Sequence, residues 1–100
     1  MKVLAIERES PTATEAQFKA LAKAEARRAW ELYQAGVVRE MYFHRDARYA
    51  VLMLECADAE EAEAVLNTLP LVQAGLITFE VLPLVAYPGF ARLFDASAGS

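Results

Sequence analysis

The sequence of 100 residues is poor in the residue types that build most recognisable sites. Cys56 is its only cysteine, so no disulfide can form within the chain, and His44 is its only histidine, so no His/Cys cluster can hold zinc. Four glycines leave no room for a phosphate-cradling loop, a dinucleotide fingerprint or a serine nucleophile elbow. Basic residues are outnumbered, 10 Lys and Arg against 14 Asp and Glu, for a net charge of −4. Clustered cations of the kind that bind phosphate backbones are therefore missing, and nucleic acid is excluded as a partner. No apolar run approaches the roughly 20 residues of a membrane span. The apolar stretch after Met1-Lys2 is too short and too weakly basic for a signal peptide, so a cytoplasmic location away from membranes is expected.

What is plentiful is apolar surface. Hydrophobic residues make up 56% of the chain, above the average for a soluble domain. The sequence must fold, as one domain over residues 1–94 with a frayed polar tail at 95–100. A domain this small has little interior in which to hide the excess. Many of the apolar residues are Ala, yet enough larger ones remain to suggest that one surface is buried in a second copy.

Lys2 to Glu7 reads as a strand closed by Ser10-Pro11-Thr12. Thr14 and Gln17 have the spacing of a capping box, and a long Ala-rich helix follows from Glu15 to Ala35, stopped by Gly36. Val37–His44 and Tyr49–Cys56 are rich in β-branched, aromatic and aliphatic residues around a polar turn, as in a hairpin. Asp58 and Glu61 open a second helix, which Pro70 ends, and Leu76 to Val85 supplies a fourth strand. The order βαββαβ predicts an α+β ferredoxin-like sandwich: a four-stranded antiparallel sheet with two helices on one face. The third and fourth strands are apolar at both parities, so the other face also needs a cover. The simplest cover is a second sheet. The aromatic segment Tyr87–Phe94 is expected to drape over a subunit boundary or a pocket mouth.

Glu25 stands out among the candidate functional residues. At 100° per residue it falls near the middle of the helical arc carrying Phe18, Leu21, Ala22, Ala29, Leu32 and Tyr33, which aims a carboxylate at the sheet. Such a group must find a partner, take up a proton, or line a hydrated cavity, and the last two suit a general acid or base. The structural alternative is an ion pair with Arg28 or Arg39. His44 and Tyr42 share one face of the second strand with Glu40, while Arg39 shares the other with Met41 and Phe43. The even face would bring His44 and Tyr42 to Glu25 as proton carriers. The odd face would bring Arg39 to hold an anionic substrate. A hairpin-end histidine is also a common solvated residue. Glu7, Glu55 and Glu80 lie on strands where charges pair, Trp30 lies off the apolar arc as a possible subunit anchor, and Cys56 reads as a small buried hydrophobe.

Lys23-Ala24-Glu25 through Gly36, Val37-Val38-Arg39, Thr68-Leu69-Pro70-Leu71 and Phe79-Glu80-Val81 together resemble the muconolactone isomerase and YCII-like groups of dimeric α+β barrel proteins. The resemblance implies two sheets packed face to face as a homodimer, often within a higher oligomer. It also implies a pocket between sheet and helices for a small organic substrate, with Glu25 and Arg39 at polar positions near it. Val85 to Phe90 departs from the isomerases' more polar ending. Two functions remain open. One is a cofactor-free isomerase or related lyase in which Glu25, with His44 or Tyr42, moves a proton on a carbonyl or lactone compound bound by Arg39, Phe18 and Tyr33. The other is a non-catalytic binding or assembly domain. Haem handling is a weaker third, since no second ligand accompanies His44.

Overall fold

A computed structural model describes residues 1–94, so the reading of 95–100 as frayed lies outside the described residues. The chain runs through β1 (Lys2–Glu9), α1 (Glu15–Gln34), β2 (Val38–Phe43), β3 (Ala50–Glu55), α2 (Ala59–Leu66), a short α3 (Pro70–Gln73) and β4 (Ile77–Leu84), ending in a 3₁₀ segment, Pro88–Leu93. The strands form one antiparallel sheet in the order β2-β3-β1-β4. This is the α+β, ferredoxin-like βαββαβ sandwich that the element order predicts.

Local chemistry sets the helix ends. Thr14 Oγ1 accepts from the Gln17 N–H (3.3 Å) and the Gln17 side chain returns a bond to the Thr14 N–H (2.8 Å), completing the capping box of α1. Gly36, at φ +78°, takes the left-handed conformation that ends α1. Asp58 caps α2 through the Glu61 N–H, but Glu61 reaches back to Ala57 instead of the cap residue itself. Pro70 marks a boundary in a different way from that expected. α2 already ends at Leu66, with Asn67 as its C-cap, and Pro70 instead occupies the first position of α3, where its missing N–H costs nothing.

The core lies between the sheet and the helices. Val3 and Ala5 of β1, Leu52 and Leu54 of β3, and Val38 of β2 meet Leu32 of α1 and Ala62 and Leu66 of α2, with Leu69 beside them. Cys56 is buried, and desolvation pushes its thiol above the ordinary range, which fits its reading as an inert hydrophobe. Register then decides the opposite face: Leu4, Ile6, Val51, Met53 and Leu82 point away from the helices and stay only partly covered. Arg8 and Glu80 pair across strands there at 2.7 Å. Glu55 pairs with the Met1 amine at 2.6 Å.

Between Val38 and Glu40 the β2–β3 register shifts by one residue. This bulge puts Val38 and then Met41 and Phe43 on the helix side, leaving Arg39 as the extra residue. Strict alternation would have sent Arg39 inward with Met41 and Phe43. Its guanidinium Nε donates instead to the Gly36 carbonyl at 2.5 Å, outside the sheet–helix layer.

Candidate functional site

Between α1 and the edge strand β2 lies an open cavity of about 690 Å³. Phe18, Ala22, Ala26, Ala29, Trp30 and Tyr33 wall it from α1, Met41 and Phe43 from β2, and Leu71 from α3. Glu25 is the one charged side chain on its lining. The Ala residues keep α1's inner face low and so leave the space open. The large side chains, among them Trp30 stacked on Tyr33 with ring centroids 5.7 Å apart, form its rim. A second hollow of about 570 Å³ continues from the first through Phe18, Ala22, Phe43 and Leu71 and ends among Glu7, Glu9, Glu15, Lys19 and Arg48.

Glu25 has neither of the ion-pair partners considered for it. Arg28 bonds Thr68 Oγ1 (2.9 Å) and Glu31 (3.2 Å), and Arg39 is engaged at Gly36. Glu25 Oε1 accepts instead from the backbone N–H of Leu71, at 2.9 Å. The reason lies in α3. Its cap residue, Leu69, has no side chain able to accept a hydrogen bond, and Pro70 has no N–H, so Leu71 carries an orphan donor that α1 satisfies. Burial raises the Glu25 carboxyl above its ordinary value, the Leu71 N–H offsets part of that rise, and the charge of Glu7 adds to it. Glu7 is raised in the same way, by burial, against a bond from the Ala50 N–H at 2.9 Å. Two half-buried carboxylates with raised pKa values thus face the space under α1, one in each hollow.

Phe18, Glu25 and Tyr33 come together on the cavity wall, whereas Arg39, Tyr42 and His44 lie elsewhere. The expectation that one face of β2 would deliver an ionisable group to Glu25 is corrected by the bulge, which spends Arg39 on a turn carbonyl and leaves Met41 and Phe43 facing α1. Tyr42, on the open sheet face, donates to Glu40 at 2.9 Å, which holds its phenol above the ordinary value. His44 Nδ1 accepts from the Asp46 and Ala47 N–H groups (3.2 and 2.9 Å) and the ring stacks on Tyr49. It organises the hairpin turn. Sequence patterning missed Met41, Phe43 and Leu71 as wall residues. No sequence signal marked the Glu25–Leu71 contact, which joins residues 46 apart in the chain. Among the described residues no three His, Cys, Asp or Glu side chains gather as a metal site, and no helix is long and apolar enough to cross a membrane.

Comparison with known proteins places this geometry in context. The sequence model described as muconolactone delta-isomerase matches residues 3–89. No curated protein matches the sequence significantly. Among solved structures, the chain is similar to the 5-chloro-2-hydroxyhydroquinone dehydrochlorinase of Burkholderia phenoliruptrix AC1100, determined in complex with 2,5-dihydroxybenzoquinone. The TM-score is 0.70 at 14% identity, over 89% of this chain and 98% of that one. At that identity the likeness shows the fold alone, an α+β sandwich of one antiparallel sheet and helices.

Proposed function

The chain belongs to the muconolactone delta-isomerase family, and on that premise we propose that it is a cofactor-free isomerase or related lyase acting on a small ring carbonyl or lactone compound. The observation that carries this reading is a lone, half-buried carboxylate on the wall of an otherwise apolar cavity. Its volume lies in the range of small-molecule sites. A carboxyl pushed above its ordinary value is a better base than a solvated one and is closer to matching a working pH near neutrality. Glu25 takes a proton from carbon activated by the ring carbonyl and returns it to another carbon of the same conjugated system. One C–H bond breaks and one forms, the double bond moves, and no oxidant or reductant is consumed. In the lyase variant the same enolate expels a β leaving group with its bonding electron pair, and the proton on Glu25 passes to that anion or to solvent.

Leu71 gives the base its aim, because its N–H fixes Oε1 and with it the plane of the carboxylate. Phe18, Tyr33, Trp30 and Phe43 stack on or enclose a planar ring and exclude water from it. The main hollow holds no cation, and in the second Lys19 and Arg48 share the lining with Glu7, Glu9 and Glu15. Titrating 2,5-dihydroxybenzoquinone against Trp30 fluorescence and assaying a muconolactone for double-bond migration test the two halves of the reading. Turnover that survives Glu25→Gln in a folded protein removes Glu25 from the chemistry.

The Leu71 bond also favours a second reading, in which Glu25 is a tertiary helix cap and the domain binds its ligand without transforming it. Ligand binding at wild-type affinity with no turnover of any ring carbonyl compound supports that alternative. We further propose that the open sheet face pairs with that of a second copy. Leu4, Ile6, Val51, Met53 and Leu82 form its apolar centre.

A further inference from the structure

The main hollow leaves one requirement of the proposed chemistry unmet. Removing a proton next to a ring carbonyl puts negative charge on the carbonyl oxygen, and that charge needs a hydrogen-bond donor sheltered from water. Glu25 is the one charged side chain on the hollow's wall, and the Leu71 N–H is already spent on it. Among the described residues, Trp30 and Tyr33 carry the hollow's only side-chain donors, at a rim where both are more than half exposed.

Glu7 stands next to the place where a donor is missing. It follows Val3 and Ala5, both fully buried, onto the helix side of β1, so the alternation that builds the core also points a carboxyl into the space under α1. Its Oε1 accepts from the Ala50 N–H at 2.9 Å, just as Oε1 of Glu25 accepts from Leu71. Each carboxyl is held through one oxygen by a neighbouring element, and among the described residues the other oxygen has no partner. The two hollows are continuous beside Glu25: Ala22, almost one turn before it, and Leu71, which donates to it, line both. A ring lying across that junction has Glu25 on one side and Glu7 on the other.

Burial sorts the charges around the second hollow. Glu9 of β1, Glu15 and Lys19 of α1 and Arg48 of the hairpin turn are exposed, and of the charged lining residues only Glu7 is half-buried. The exposed charges, two of each sign, are largely screened by water. Among the described residues neither cation forms an ion pair with Glu7, and Glu9 adds like charge to it. Two half-buried carboxyls facing one space do not both ionise easily, so one of them keeps its proton. On the reading of Glu25 as the base, we propose that Glu7 is a second catalytic residue: in its carboxylic acid form it donates its O–H to the ring oxygen that becomes an enolate. As Glu25 takes the proton, the C–H electron pair forms a new C=C bond and the carbonyl π pair moves onto oxygen, which accepts the Glu7 hydrogen bond. When Glu25 returns the proton to the other carbon the carbonyl re-forms, and Glu7 ends as it began.

Two substitutions and a titration test this. Glu7→Gln keeps an acceptor for the Ala50 N–H and a donor towards the ring, but it cannot ionise. With a muconolactone as probe, wild-type kcat/KM is expected to rise with pH as Glu25 ionises and to fall as Glu7 loses its proton. In Glu7→Gln the falling limb disappears and most of the turnover is kept. Glu7→Ala, its fold checked by circular dichroism, loses about 10²–10³-fold in kcat, the usual cost of removing one such donor. A falling limb that persists in Glu7→Gln, or a folded Glu7→Ala with wild-type kcat, overturns the role of Glu7 and leaves Glu25 standing as the base. Carboxyl ¹³C shifts followed by NMR need neither substrate nor the Ala variant. Glu7 is expected to ionise at a higher pH than Glu25, and the reverse order overturns the proposal whatever the turnover. Wild-type protein that turns over no ring carbonyl compound overturns the catalytic role of both carboxyls together.

Discussion

Replacing Glu25 separates its cap from its chemistry, because two substitutions remove different things. Glu25→Ala deletes the acceptor for the Leu71 N–H and leaves the first free donor of α3 without a protein partner. Loss of a side-chain cap costs about 1 kcal/mol, and at a half-exposed site water replaces part of it. For a domain of this size about 1 kcal/mol lowers Tm by roughly 4–8 °C. Glu25→Gln keeps an acceptor oxygen in the same place and discards only the charge, so its Tm at neutral pH should equal or slightly exceed that of wild type. The pH dependence has a definite sign. A carboxyl raised in the folded state adds stability that is fully present below the unfolded value, about 4.3, and is lost as pH rises through the higher folded value. The wild-type minus Gln difference in unfolding free energy should therefore fall across that window and level off above it. Turnover should drop by about 10²–10⁴-fold in both variants, the usual contribution of a general base. Thermal and urea unfolding at fixed protein concentration, from pH 4 to pH 8 (about the range that spans carboxylate titration), supply the curves. A flat difference curve, or a Gln variant as unstable as the Ala variant, would refute the reasoning.

Three further substitutions probe the frame around the site. Gly36→Ala forces a Cβ into the left-handed conformation at φ +78° and should cost about 1–2 kcal/mol, read as a lower urea midpoint with unchanged slope. Leu54→Ala, at a fully buried position between sheet and helices, should cost about 2–5 kcal/mol in the same assay. Tyr42→Phe removes a hydroxyl that serves only Glu40, so kcat and KM should stay at their wild-type values; a large fall in kcat would return Tyr42 to the mechanism.

The fold was legible because local signals agree with one another. Thr14 and Gln17 begin α1 where the capping box says, Gly36 ends it, and the apolar strands fall at the parities that a covered sheet requires. Glu25 was legible for the same reason: helical periodicity alone carries a side chain to the inner face. The surroundings of Glu25 were not. A bulge at Arg39 is decided by pairing with β3, so counting residues along β2 could not reveal that Arg39 leaves the helix side. The Glu25–Leu71 bond joins residues 46 apart and answers a need created by Leu69 and Pro70, neither of which marks itself as lacking a cap until α3 is seen. Long-range complementarity of this kind leaves no period in the sequence.

Deuterium exchange tests the central claim most directly. Wild-type protein incubated with a muconolactone in D₂O should move its double bond, with deuterium entering at the receiving carbon where the proton held on Glu25 exchanges with solvent before its return, both visible by NMR and mass spectrometry, and Glu25→Gln should suppress migration and incorporation while still binding the compound. Migration at equal rates in the two proteins would contradict the account, as would binding by the wild type with neither migration nor exchange.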